Sequence, residues 1–259
     1  MTRRKYLVLL AFFVASGSQL FAQEKKLPSG KEVIDRAVKA LGGREKFEKI
    51  KSSSMTGTIE FQGLPIRGTL QADFVPPRKL AIVAQVQGME QQQVVSGDVA
   101  WEKGFGGTRI VTREEADRFL EGVDMTMIVN ANKLFKSIKN EGSAEVDGEK
   151  VYHIVMKRSE EDKTPEQVFF SIETGLPKHM LTFRKTPQGK LKIESTVKEY
   201  KEFGGIRSAV LTEQKIANLG ITQIMKVESI TYNKPIDNSK FAVPDEVKEM
   251  LKTQNKDAE

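Results

Sequence analysis

The 259-residue sequence has no cysteine, so it can form no disulfide and lacks the residue on which bacterial lipoproteins are acylated. Stability must come from a packed core, and the chain is long enough to build one. Histidine is nearly absent too: His153 and His179 are the only two, and each sits within an alternating, strand-like stretch. Neither belongs to an HExxH or GxSxG arrangement, so metal-assisted and serine-nucleophile hydrolysis lack their usual parts. Gly104-Phe105-Gly106-Gly107 is glycine-rich, but no Gly-Lys-Ser/Thr follows it and no βαβ pattern surrounds it. It reads as a loop. Glu114, Glu115 and Asp117 are accounted for by the first turn of a helix, where acidic residues meet the positive end of the helix dipole. No catalytic residue, metal or cofactor is indicated.

Long apolar runs are also missing. The one apolar run, Tyr6–Ala15, is well short of the roughly 20 residues that span a bilayer. It follows Arg3, Arg4 and Lys5 and precedes a polar stretch ending at Ala22, the three parts of a cleavable secretory signal. The expectation is therefore a signal peptide over 1–22 and one exported domain over 23–259. In a two-membrane bacterium the product would be a soluble, unanchored periplasmic protein. The excess of positive charge is modest. The 41 Lys and Arg fall to 38 without the three in the signal, against 35 Asp and Glu, which leaves +3. These charges are interspersed along the chain with little aromatic interleaving, which argues against nucleic-acid binding.

The remaining residues divide by periodicity. Ser29 with Glu32 has capping-box spacing, and Val33, Ile34, Ala37, Val38 and Leu41 repeat at helical intervals up to Gly42-Gly43. A second short helix spans Arg44–Ile50. From Ser53 the period becomes two: Met55, Gly57, Ile59 and Phe61, then Leu70, Ala72 and Phe74, then Leu80, Ile82, Ala84 and Val86. Turn residues fall between these runs, and Asp147-Gly148 is a strong hairpin signal. Thr112 caps a helical interlude carrying Phe119, Leu120, Val123 and Met127, and Asn132–Ile138 adds a further helical turn. The tail from Asp245 is either a terminal helix or frayed. Short connections make neighbouring strands antiparallel. The fold class is mainly β (α+β): about eleven strands in a single strongly curved antiparallel sheet, an unclosed barrel covered by short helices.

Several segments carry a resemblance: LPSGKEVIDRAVKALGG, SMTGTIEFQGLPIRGTLQADFVPPRKLAIVAQVQG, VVSGDVAWEK, EVDGEKVYHIVMK, VFFSIETGLPKHMLTF, EYKEFGGIRSAVLTEQ and ITYNKPIDNSKFAVP. Over nearly all of its exported part, the chain resembles bacterial envelope proteins related to the lipoprotein carriers LolA and LolB, in particular the outer-membrane lipoprotein-sorting protein-like branch. That resemblance implies an open barrel with a helical lid over an apolar cavity that takes a lipid, acyl chain or other hydrophobic ligand. The expected lining is Met55, Ile59, Phe61, Leu70, Phe74, Ile82, Val86, Trp101, Phe170 and Phe183, and the expected lid is Phe119, Leu120, Val123, Met125 and Met127. Ordinary core is the alternative for each. Implied partners are envelope lipoproteins or membrane-anchored proteins, with the chain itself a monomer. The competing reading is an interaction or sensor module, since relatives of this fold include regulators of envelope-stress signalling.

Overall fold

The computed structural model describes residues 26–123, 126–186 and 189–257. The expected signal segment and Met125 lie outside these ranges. Helices α1 (Gly30–Ala40) and α2 (Arg44–Glu48) precede six strands: β1 (Ser53–Phe61), β2 (Ile66–Val75), β3 (Lys79–Val86), β4 (Met89–Ser96), β5 (Val99–Gly104) and β6 (Gly107–Ile110). Helices α3 (Arg113–Val123) and α4 (Ala131–Leu134) follow. Seven more strands complete the sheet: β7 (Ser137–Val146), β8 (Glu149–Lys157), β9 (Glu166–Ser171), β10 (Pro177–Thr186), β11 (Gly189–Phe203), β12 (Ile206–Ile216) and β13 (Ile221–Tyr232). A 3-10 turn at Asn238–Phe241 leads into the terminal helix α5 (Asp245–Asp257).

All thirteen strands form one antiparallel sheet in the order β6-β5-β4-β3-β2-β1-β13-β12-β11-β10-β9-β8-β7. Only the β1–β13 pair joins strands distant in sequence, with Ser53 opposite Tyr232 and Phe61 opposite Gln223. The two outermost strands, β6 and β7, do not pair, so the curved sheet stays open. Thirteen strands replace the expected eleven or so. β6 is only four residues long and lies directly behind the glycines that read as a loop, yet its pairing with β5 places Trp101 opposite Ile110. The segment expected to be helical to Ile138 is helical only over α4, and Ser137 already begins β7.

Local chemistry explains the elements. Ser29 caps α1 by accepting from the Glu32 amide, while the Glu32 carboxylate accepts from the Ser29 amide at 2.6 Å. Thr112 and Glu115 repeat the device at α3. Asp147 and Gly148 both have positive φ (50° and 78°), the conformation a two-residue hairpin needs to follow the twist of β7 and β8.

The sheet is covered unequally. On one face α1, α2 and α4 pack over β8–β12, burying Ile34, Phe47, Ile154 and Phe170. On the same face α3 packs over β2–β5, burying Leu80, Val95, Ala100 and Leu120. The opposite face is covered by the C-terminal segment over β2–β6, where Phe241 and Val247 meet Ala81, Val94 and Trp101. Asp73, almost fully buried on that face, binds Lys240 of the segment at 2.7 Å, Gln71 at 2.8 Å and the Ser54 hydroxyl.

Candidate functional site

Helix α1 is held across the sheet at both ends. A Cβ on Gly30 would lie 2.5 Å from the carbonyl oxygen of Ile138, so only glycine lets the first turn rest on β7. At the other end a Cβ on Gly42 (φ 129°) would lie 2.4 Å from the carbonyl oxygen of Gly205, and the Leu41 carbonyl accepts from the Arg207 amide at 2.8 Å. Midway, the Arg36 guanidinium donates to the carbonyls of Ile172 (2.5 Å) and Glu173 (3.0 Å). Lys46 of α2 donates to Gly205 at 2.9 Å. The helices are thus pinned at their ends, and the space beneath them is not filled.

That space is a half-enclosed cavity of about 240 Å³. Its roof is Ile34, Leu41 and Phe47, with Met127, Ile128, Ala131 and Phe135 from the α3–α4 region. Its floor is Met156, Val168, Phe170 and Met180, ending at Tyr200 and the Arg207–Ala209 stretch. The lining is overwhelmingly apolar. The Tyr200 hydroxyl donates to the Pro177 carbonyl at 2.6 Å, and burial pushes its phenol above the ordinary value, so it remains a neutral wall.

One charged group closes the rim. Arg158 bonds Glu121 of α3 and Glu166 of β9, each at 3.0 Å, and its guanidinium lies 5.0 Å from the centre of the Phe135 ring. Burial raises the pKa of Glu121, with the Arg158 charge opposing the shift. Glu166 lines the cavity and Phe135 forms part of its roof, so Arg158 connects the helical cover to the sheet at this end.

The residues expected to line one cavity are dispersed. Phe170 and Met127 do line it. Ile59, Leu70 and Ile82 line a different hollow of about 540 Å³ on the same face, beyond α3, whose walls include Gln91, Gln93, Glu102 and Arg109. Phe74 is packed beneath α3, together with Phe119, Leu120 and Val123. That lid helix therefore closes on β2–β5 rather than on the apolar cavity. Met55 and Val86 share the covered face by register (Met55 with Ala72, Ala72 with Ile82, Val86 with Gly68), are half-buried and reach neither space. Phe61, opposite Ile66, is likewise half-buried outside both.

Trp101 and Phe183 fall on the opposite face. Ala100 packs under α3, so its neighbour Trp101 points the other way, into the C-terminal cover, where its Nε1 is buried without a partner among the described residues. Phe183 is three positions from the cavity-lining Met180 and lies under the Lys190 ammonium at 4.1 Å. Periodicity shows that residues alternate but not which set faces inward, because a one-residue slip inverts every assignment. Ile34 and Leu41 belong to the apolar stripe of α1 already visible in sequence. Met156, Val168 and Met180 become neighbours only through the pairing of β8, β9 and β10.

Both histidines also lie away from the cavity. Phe169, between the lining residues Val168 and Phe170, points to the opposite face, where His153 stacks on it (4.4 Å between centroids, 3°) and His179 meets its edge (5.4 Å). His153 bonds Gln167 at 2.9 Å, and His179 bonds Thr196 at 2.8 Å. Burial lowers the pKa of His179. No cluster of three or more His, Asp or Glu suited to a metal ion occurs among the described residues.

An unclosed antiparallel sheet with a few short helices laid on it is a LolA-like fold. Solved structures share it. A DUF1329 family protein from Desulfovibrio piger superposes with TM-score 0.54 at 11% identity, over 82% of this chain and 96% of its own. A domain from Vibrio parahaemolyticus named for outer-membrane lipoprotein sorting gives 0.53 at 11%, over 86% and 99%. A LolA superfamily protein from Nitrosomonas europaea gives 0.52 at 9%, over 84% and 99%. The likeness is one of fold. No protein-family model and no curated protein sequence matches the chain.

Proposed function

We propose that the chain is an exported, non-catalytic binding or carrier protein, a single domain over 23–259 that holds a lipid acyl chain or similar hydrophobic ligand under α1, α2 and α4. The observation that carries this reading is the apolar cavity of about 240 Å³. An apolar cavity of about 150 Å³ in another protein takes up benzene, and this one, also lined by apolar side chains, has room for a larger apolar guest. Each buried methylene would contribute about 0.8 kcal/mol, enough for useful affinity without polar recognition. The fold shared with a domain named for lipoprotein sorting supports the same class of ligand. No helix among the described residues is long and apolar enough to cross a membrane, and the proposed site of action is the periplasm, with envelope lipoproteins or membrane-anchored proteins as partners.

The test is native mass spectrometry of protein purified from the periplasm without detergent, followed by organic extraction. A discrete added mass that extracts as a lipid is the expected result. A clean apo mass, unchanged after incubation with phospholipid and with acylated peptide, would count against carriage.

A further inference from the structure

Singly exposed apolar side chains are ordinary on protein surfaces. Their placement here is not scattered. Six large apolar residues are exposed among the described residues: Leu27, Leu64, Met89, Phe105, Leu134 and Leu219. Five of them lie at one end of the sheet. Leu64 is in the β1–β2 turn, Met89 opens β4 after the β3–β4 turn, Phe105 (66% exposed) is in the β5–β6 turn and Leu219 is in the β12–β13 turn. The register puts all four turns at the same end, since Phe61 pairs with Ile66 and Gln223, Gly68 with Val86, and Gln92 with Lys103. Leu134 closes α4 just before β7, whose first residue, Ser137, pairs with Lys157 at that end of β8. The hairpin turns at the other end expose no large apolar side chain among the described residues.

Exposed lysines accompany the apolar tips. From Thr126 to Asn140 there is no acidic residue, and Lys133, Lys136 and Lys139 are exposed. Lys103 is exposed beside Phe105, and Lys190 beside the β10–β11 turn. Among the described residues, none of these five lysines has a carboxylate partner. Of the carboxylates nearby, Glu60 pairs with Arg67, Glu102 with Arg109, Glu194 with Lys192 and Glu213 with Lys215, while Glu90, beside Met89, bonds Gln85 and Gln92. Glu160 and Glu161 of the β8–β9 loop are exposed, with Lys157 and Lys163 close to them in sequence but not ion-paired with them.

We propose that this end of the barrel docks on an anionic lipid surface, with Leu64, Met89, Phe105, Leu134 and Leu219 entering the interface and the unpaired lysines meeting lipid phosphates. A protein partner requires one contiguous, closely matched patch. Isolated apolar tips separated by polar turns, several of them flanked by lysines, suit a fluid interface, which closes around each tip separately. The position has a functional consequence. Ala131 and Phe135, on either side of Leu134, line the cavity, as does Glu166 at the same end of the sheet, so docking brings that end of the cavity to the membrane. The inference does not depend on what the cavity holds.

The test uses the exported chain with vesicles of phosphatidylcholine alone and of phosphatidylcholine mixed with phosphatidylglycerol, read by co-sedimentation. The expected result is salt-sensitive binding to the anionic vesicles, because lysine–phosphate attraction is screened beyond about 8 Å at ~0.15 M salt. The triple variant L64S/F105S/L219S should bind roughly tenfold more weakly or worse, with an unchanged unfolding midpoint. As a second readout, Phe105→Trp should shift its emission to the blue and be quenched by brominated lipid only when anionic vesicles are present. No binding of the unaltered chain to either vesicle, equal binding by the triple variant, or self-association through these tips without vesicle binding would each overturn the proposal. Lipid extracted from the cavity together with absent vesicle binding would sink the docking while leaving the carrier reading intact.

Discussion

The two halves of the covered face are built from similar strands and reach different outcomes. Over β2–β5, α3 lies directly on Phe74, Leu80 and Val95, and the C-terminal segment seals the other side of the same strands. Beneath α3 this half is closely packed, and the hollow of about 540 Å³ beyond the helix is walled in large part by polar side chains such as Gln91, Gln93, Glu102 and Arg109. Over β8–β12 the cover is suspended: α1 rests on β7 through Gly30 and on the β11–β12 turn through Gly42, and a cavity remains between these supports. On the other side of those strands the His153–Phe169–His179 cluster carries no helix among the described residues. A cavity in this fold thus depends less on how apolar the strands are than on where the covering helices touch down.

The largest effect should come from stripping the half under α3 of its second cover. Phe241→Ala removes a buried ring from the C-terminal segment and should cost about 3–5 kcal/mol in urea unfolding. A loss below about 1 kcal/mol would mean that the segment is an accessory rather than part of the core. The sharpest comparison makes one substitution in both halves. Val95→Phe, at a fully buried site under α3, should destabilise by about 1–3 kcal/mol through overpacking. Val168→Phe projects into the cavity and should be nearly neutral in stability, while weakening uptake of a fluorescent alkyl probe by about tenfold or more. Equal destabilisation at the two sites would erase the distinction drawn between the halves.

The smallest effects distinguish the two ends of α3. Glu115 caps the helix from Thr112 and accepts two bonds from Arg109, which hold its pKa down at about 2. Its contribution is present above the unfolded carboxylate range and is lost as pH falls toward about 2. Glu115→Ala should therefore cost about 1 kcal/mol at neutral pH, with the difference from wild type shrinking in acid. Glu121 has the opposite sign. Burial raises its pKa, so its contribution is present below the unfolded range and lost as pH rises through the folded value. Relative to wild type, Glu121→Gln should gain stability as pH increases, and thermal melts from pH 3 to 8 would show the two slopes diverging. Parallel slopes would mean that α3 is held alike at both ends.

Sequence alone determined what short-range chemistry decides. Ser29 with Glu32, Thr112 with its acidic first turn and Asp147-Gly148 act within a few residues, and each does so in the fold. The antiparallel order follows from short connections, and the absence of cysteine and of any His-centred motif narrows the available chemistry. The edge strand β6 was hidden because four residues behind glycines carry too little periodicity to register. Tertiary structure alone decided which face of each strand turns inward: Trp101 and Phe183 alternate as the cavity-lining residues do but stand on the opposite face of the sheet. It also decided where the cavity lies. The sequence offered Ile59, Leu70 and Ile82, one alternating run after another, whereas the cavity gathers Ile34, Met127, Val168, Met180 and Tyr200 from across the chain. Those residues meet because β8 to β12 pair into one surface and glycines let α1, distant in sequence, cross it. That crossing is a long-range contact, whose geometry depends on many residues at once and is carried by no local pattern.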